Sequence, residues 1–156
     1  MIRPTRRRRA RRGSLGQALA EFALVAPIFF LLLLAIMEGA RYVFYHEMLS
    51  YATREGARYA IVHGSRSGPI YGCPSGPMPG GLAGCDVDGE NVKEVVRNAA
   101  IALAGAGTII FDEPFWATNN GRGELVTIAV EYTYGPLFPI LPPITVTAES
   151  TLVINN

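Results

Sequence analysis

Gly16-Gln-Ala-Leu-Ala-Glu21-Phe-Ala-Leu-Val-Ala-Pro27-Ile-Phe-Phe-Leu-Leu-Leu-Leu-Ala-Ile-Met37-Glu38 is an apolar run with one glutamate near its start. Phe22 to Met37 is sixteen uncharged residues. At 1.5 Å per residue they reach about 24 Å, short of the roughly 30 Å hydrocarbon core of a bilayer. Counting from Gln17 gives twenty-one residues and about 31 Å, so a full span takes Glu21 into the membrane, about 6 Å beyond Gln17. A carboxylate there costs about 2.5 to 3.5 kcal/mol on insertion scales and calls for a partner. Pro27 is predicted to loosen or kink the helix.

Outward from this run the charge is lopsided. Residues 1–16 hold Arg3, Arg6, Arg7, Arg8, Arg9, Arg11 and Arg12 and no acid, while residues 17–156 hold seven basic and thirteen acidic side chains. The net charge of +1 is therefore +7 on the leader and −6 on the rest. Arginines clustered ahead of a span mark a cytoplasmic flank, so the remainder is expected to be extracytoplasmic. Dense arginine also suits nucleic acid, but no aromatic residue interleaves the leader and a span follows at once, so no nucleic-acid partner is expected.

Helical character continues past Glu38. Leu49, Ala52, Gly56, Tyr59 and Ala60 keep helical spacing, with Glu47, Arg54, Glu55 and Arg58 on a polar side. One long helix is expected from about Gln17 to His63, stopped at Gly64. Gly56 inside it costs about 1 kcal/mol against alanine and points to close packing. Packing on the chain's own sheet is favoured there over another subunit.

Residues 64–89 read as a glycine- and proline-rich loop holding the only cysteines, Cys73 and Cys85. In an oxidising compartment this pair closes a short loop, worth about 3 kcal/mol in the chain-entropy model. Zinc fits poorly, because His46 and His63 fall upstream in the helix. Asp86-Val-Asp88-Gly89-Glu90 lacks the spacing of a calcium loop and reads as a turn and helix start.

Asn91 and Glu94 have capping-box spacing, and Val92, Val95, Val96, Ala99, Ala100 and Leu103 form the apolar stripe of a short helix ending near Gly105. Then the period becomes two. Thr108 to Phe111 is a short apolar run, Phe115 to Thr118 a candidate second one, and Asn119 to Gly123 a turn that predicts a hairpin. Leu125 to Tyr132 and Ile144 to Ile154 alternate as antiparallel strands, joined by the proline-rich apolar stretch Tyr134 to Pro143. The fold expected is α+β: a long N-terminal helix, transmembrane in its first half, then a small extracytoplasmic domain of one amphipathic helix on an antiparallel sheet. The divisions are a leader 1–16, an anchor 17–37, an emerging half 38–63 and a domain 64–156 with a closed loop 73–85.

Gly16-Gln-Ala-Leu-Ala-Glu21-Phe22 resembles the processing site of type IV pilin-like proteins. In that class a membrane peptidase cuts after the glycine, and the glutamate is fifth in the mature chain. Glu21 to Pro27, the Met37-Glu-Gly-Ala-Arg41 junction and Ala52-Thr-Arg-Glu-Gly-Ala-Arg-Tyr-Ala60 resemble the TadE-like family of pseudopilins, tied to assembly of tight-adherence (Flp) pili. The resemblance covers residues 13 to about 63. It implies a leader removed between Gly16 and Gln17, with Gly16, Gln17, Glu21 and Phe22 as the processing residues. It also implies prepilin peptidase, other pilin-like subunits, the inner-membrane assembly machinery and the lipid bilayer as partners, in a hetero-oligomer serving secretion and adhesion. The protein would cross the inner membrane once, with no cofactor.

Cutting after Gly16 would remove all seven leader arginines and leave a positive α-amine on Gln17. In an oligomer one subunit's Glu21 can meet a neighbour's amine and fix the register of packed helices. Two other readings stay open. One is an uncut membrane-tethered extracytoplasmic binding module whose Glu21 reaches toward headgroups. The other is a periplasmic protein released by signal peptidase, with Arg11-Arg12-Gly-Ser-Leu15 in keeping with a twin-arginine signal, although cleavage sites near Ala35 and Ala40 are poor. No histidine, phosphate-binding glycine loop with lysine or nucleophile elbow follows His63, so no enzyme is expected; a carboxylate-only site on Asp112, Glu113 or Glu131 is the residual enzymatic reading.

Overall fold

Neither leader chemistry nor every loop is covered by the computed structural model, which describes residues 12–68, 72–81, 85–105, 107–139 and 141–155. Arg3, Arg6, Arg7, Arg8, Arg9 and Arg11 lie outside the described residues. The chain forms two compact units, Met1–Gly39 and Ala40–Asn156. Helix α1 runs over Arg12–Val62, 51 residues, with Pro27 inside it. It begins five residues before the expected Gln17 and ends one residue before the expected His63. Residues 12–15 contain no proline, and a helix already nucleated downstream extends over them despite Gly13. At the other end His63 N still donates to Tyr59 O at 3.0 Å before Gly64 stops the ladder.

In the first unit, the side chains from Leu15 to Met37 are exposed on nearly every side of α1. A window of 18 residues there has mean hydropathy 2.6, and the helix is long and apolar enough to cross a membrane. That is the composition of a helix whose solvent is lipid, where no single face needs protein cover.

In the second unit, one face of α1 is buried: Tyr45, Leu49, Ala52, Thr53, Gly56, Ala57 and Ala60. Helix α2 spans Glu90–Ala99 and is followed by a short 3-10 turn, Ile101–Leu103. Three strands, β1 (Gly107–Asp112), β2 (Leu125–Tyr134) and β3 (Ile144–Val153), form an antiparallel sheet in the order β1-β2-β3. Registers run from Gly107↔Tyr134 to Asp112↔Ala129 and from Leu125↔Val153 to Tyr134↔Ile144.

Alternation in β2 sets the core. Val126, Ile128, Val130, Tyr132 and Tyr134 point inward and are buried, meeting α1 and the Val92, Val96 and Leu103 stripe of α2. The opposite face carries hydroxyls, with Thr127 against Thr151 and Thr133 against Thr145, each pair 2.9 Å apart. Phe115 to Thr118 is not a strand, while the hairpin expected around Asn119–Gly123 is present as the antiparallel pair β1 and β2. Trp116 makes a single bridge to Val126, and Phe115 and Trp116 turn into the core instead. Burying two large aromatic side chains outweighs extending the ladder.

The capping box is also corrected. Asp86, not Asn91, caps α2: its carboxylate accepts from Glu90 N at 2.7 Å and Asn91 N at 3.1 Å. Gly89, at φ +70°, occupies the N-cap position without a side chain. Cys73 and Cys85 are joined by a disulfide, Cα to Cα 5.7 Å. Beside it Gly76 N donates to Asp86 O at 2.6 Å.

Candidate functional site

Gly16, Gln17, Glu21 and Phe22 occupy consecutive turns of α1, and all are exposed. Helical spacing puts Gln17 and Glu21 on one side, and the Gln17 side-chain amide donates to Glu21 Oε1 at 3.1 Å. That contact is neutral to charged. Among the described residues no basic side chain pairs with Glu21. A carboxylate in this position still lacks a cation, and it faces outward where one could be supplied.

Gly16 has no packing reason to be glycine: a Cβ there would meet nothing within 4 Å. Gly56 is the opposite. A Cβ on it would overlap Val96 Cγ2 and press on Val92 and Ile128, so this glycine lets α1 approach α2 and the sheet. Glu55 and Arg58 beside it form a loose, exposed pair at 3.7 Å, worth little.

Where α1 enters the second unit, Arg41 organises a group that the sequence does not announce. Its guanidinium lies 5.0 Å from the Tyr134 ring centre and 5.5 Å from that of Tyr45, and Nη2 donates to Gly135 O at 3.3 Å. Tyr45 in turn packs edge-on to Tyr134 and Tyr132, at 4.5 and 5.3 Å. Tyr132 Oη donates to Leu103 O at 3.1 Å, and burial raises its phenol above the ordinary range. The contact between Arg41 and Gly135 bridges 94 positions, which no local pattern could reveal. Outside this cluster Tyr42, Val43, Phe44 and Tyr51 on α1 are exposed, Phe44 and Tyr51 on one side of the helix.

Of the acidic residues weighed for catalysis, Glu113 is engaged in an ion pair, while Asp112 and Glu131 share the outer face of the sheet. Glu113 pairs with Lys93 at 2.5 Å, and Glu90 holds the same ammonium at 2.6 Å. Hydrogen bonds to Glu113 and then Glu90 raise the Lys93 pKa, and the bond to Lys93 lowers that of Glu90. Asp112 and Glu131 line the open outer face of the sheet with Glu149 and Thr147. His63 Nδ1 donates to Tyr59 O at 2.9 Å, and His46 lies at the exposed side of α1. Among the described residues no group of three or more His, Cys, Asp or Glu side chains could hold a metal ion.

A family model described as TadE-like protein matches residues 16–58. This is just over a quarter of the chain, and it starts on Gly16. The matched segment takes in the lipid-suited half of α1, Glu21, Arg41 and Gly56. No curated protein and no solved structure matches the chain.

Proposed function

We propose that the chain is a minor pilin-like protein of Tad-type pilus assembly, processed after Gly16 and anchored in the inner membrane by residues 17–37. The reading rests on the TadE-like match over residues 16–58. Support comes from Gly16, whose glycine character packing does not require, and from Glu21, exposed and, among the described residues, paired with no basic side chain.

Processing by a prepilin peptidase would release the arginine leader and create a positive amine four residues before Glu21. In its own chain that amine is one helical turn away, about 6 Å along the axis. In a bundle of pilin-like subunits it can approach a neighbour's Glu21 directly, so the carboxylate becomes a contact that fixes axial register. The protein's work is assembly, with the sheet domain on the extracytoplasmic side.

The deciding measurement is the N-terminal residue of protein purified from membranes, by intact mass or terminal sequencing. Gln17 is expected. An intact leader would instead mean an uncut anchor, and a start near residues 36–41 in a soluble fraction would mean signal-peptidase release. Glu21→Gln is expected to leave insertion intact and lower pilus output. Unchanged output would sink the charge-pairing mechanism while leaving the processing step standing.

A further inference from the structure

We propose that the β2–β3 connection is a second membrane contact, with Leu137, Phe138 and Leu141 resting at headgroup level on the extracytoplasmic side of the bilayer. The inference rests on the anchored reading of α1.

Its first support is chemical. From Tyr132 to Ala148 the chain carries no charged residue, and Pro136-Leu-Phe-Pro-Ile-Leu-Pro-Pro143 has no polar side chain at all. Ile140 lies outside the described residues. Leu137, Phe138 and Leu141 are 49%, 37% and 50% exposed. An isolated exposed leucine means little, but eight consecutive apolar residues with three such side chains on one turn form a patch that water serves poorly. Four of the eight are prolines. They have no N–H, so the loop can enter a poorly hydrated layer with few donors left unsatisfied. A further donor is satisfied within the loop, where Leu141 N donates to Phe138 O at 3.1 Å.

Its second support is position. Gly135, at the start of the connection, accepts from Arg41 at 3.3 Å, while the rings of Tyr134 and Tyr45 hold the same guanidinium. Arg41 is four residues beyond Met37, the last residue of the apolar run. Four helical residues rise about 6 Å, comparable to one headgroup layer. The loop is thus tied at Gly135 to a residue four positions past the end of the apolar run. Tyr42 and Phe44, both exposed, supply the aromatic side chains favoured at headgroup level. A lipid surface fits better than a protein partner, because the loop offers no polar side chain to set a docking register.

The test uses the full chain reconstituted in phosphatidylethanolamine and phosphatidylglycerol vesicles. An environment-sensitive fluorophore is placed on Leu137→Cys or, independently, Leu141→Cys, since the native cysteines are joined to each other. Met37→Cys and Val153→Cys, at the far end of β3, serve as references. Headgroup or shallow acyl-chain nitroxide lipids should at least halve emission at 137 and 141, with a blue shift, and leave 153 unchanged. Aqueous, unquenched emission at both loop positions with quenching at 37 would overturn the loop contact and spare the anchor. A blue shift without quenching would mean that protein covers the loop, which overturns it equally. Absence of quenching at 37 would remove the anchored reading and this inference with it.

Discussion

Leu15 to Met37 and Arg41 to Val62 belong to one helix, yet they answer to different solvents. The first stretch is apolar on nearly every side, Gln17 and Glu21 apart, and is exposed among the described residues; the second is polar on one side and buries Leu49, Ala52, Gly56 and Ala60 on the other. Helical hydrogen bonds are the same in both. What differs is whether the apolar surface is satisfied by lipid or by the chain's own sheet, and that decides where a given side chain is worth anything to folding. The two glycines show it best. Gly56 is dictated by a neighbour in contact, while nothing in the structure presses on Gly16.

Truncating a buried leucine should break the symmetry between the halves most strongly. Leu49→Ala is expected to lower the stability of the second unit by about 3 kcal/mol through lost burial and a residual cavity. Leu33→Ala, in the first unit, should leave it unchanged. Urea unfolding in detergent, followed by the emission of Trp116, reads the difference, because Trp116 is the chain's single tryptophan and is buried. Equal effects from both substitutions would refute the division.

Overpacking comes next. Gly56→Val should cost about 2 kcal/mol in the same assay, as Val96 and Val92 are forced aside. Gly39→Val, with open space at its Cβ, should cost only a helix-propensity difference too small to move the Trp116 transition. A smaller effect is expected from Asp86→Ala, about 1 kcal/mol, since two N–H groups at the start of α2 lose their acceptor. Asn91→Ala should do nothing comparable, and a larger loss from Asn91 would restore the capping box.

The smallest effect is electrostatic. Glu90 is held below its ordinary pKa of 4.5, so its contribution is full above that value and fades as acid protonates it. Lys93 is held above its ordinary 10.5, so its contribution is full below that value and fades as alkali removes the proton. Urea midpoints should therefore fall at both pH extremes, and Lys93→Met should flatten both limbs. A variant that keeps the wild-type pH profile would show that the Lys93 group does not contribute.

Periodic features were the legible ones. The apolar run, the stripe from Val92 to Leu103 and the alternation of β2 and β3 each follow from one residue's relation to those within a turn or a pleat, and the structure keeps them. Features set by distant chain were not legible. Asp86 displaces Asn91 as the cap because the chain before α2 doubles back at Gly89. Phe115 and Trp116 leave the sheet because the core has room for two rings. Arg41 reads as a junction residue until Gly135 arrives from 94 positions away. At the candidate site the sequence supplied the spacing of Gly16, Gln17 and Glu21, and the close packing expected at Gly56 is present. That a Cβ on Gly16 would meet nothing within 4 Å is visible only in the structure.

The bond between Cys73 and Cys85 has a mechanical meaning. A protein held in a membrane at one end and engaged by an assembly at the other is a candidate to bear tension. The segment between α1 and α2, which contains the bridge, lies on the path of such a pull. The bridge spans a sequence separation of 12, which unravelled would release about 40 Å of chain. With the sulfurs joined, force passes from residue 73 to residue 85 directly, and that slack stays locked inside the loop.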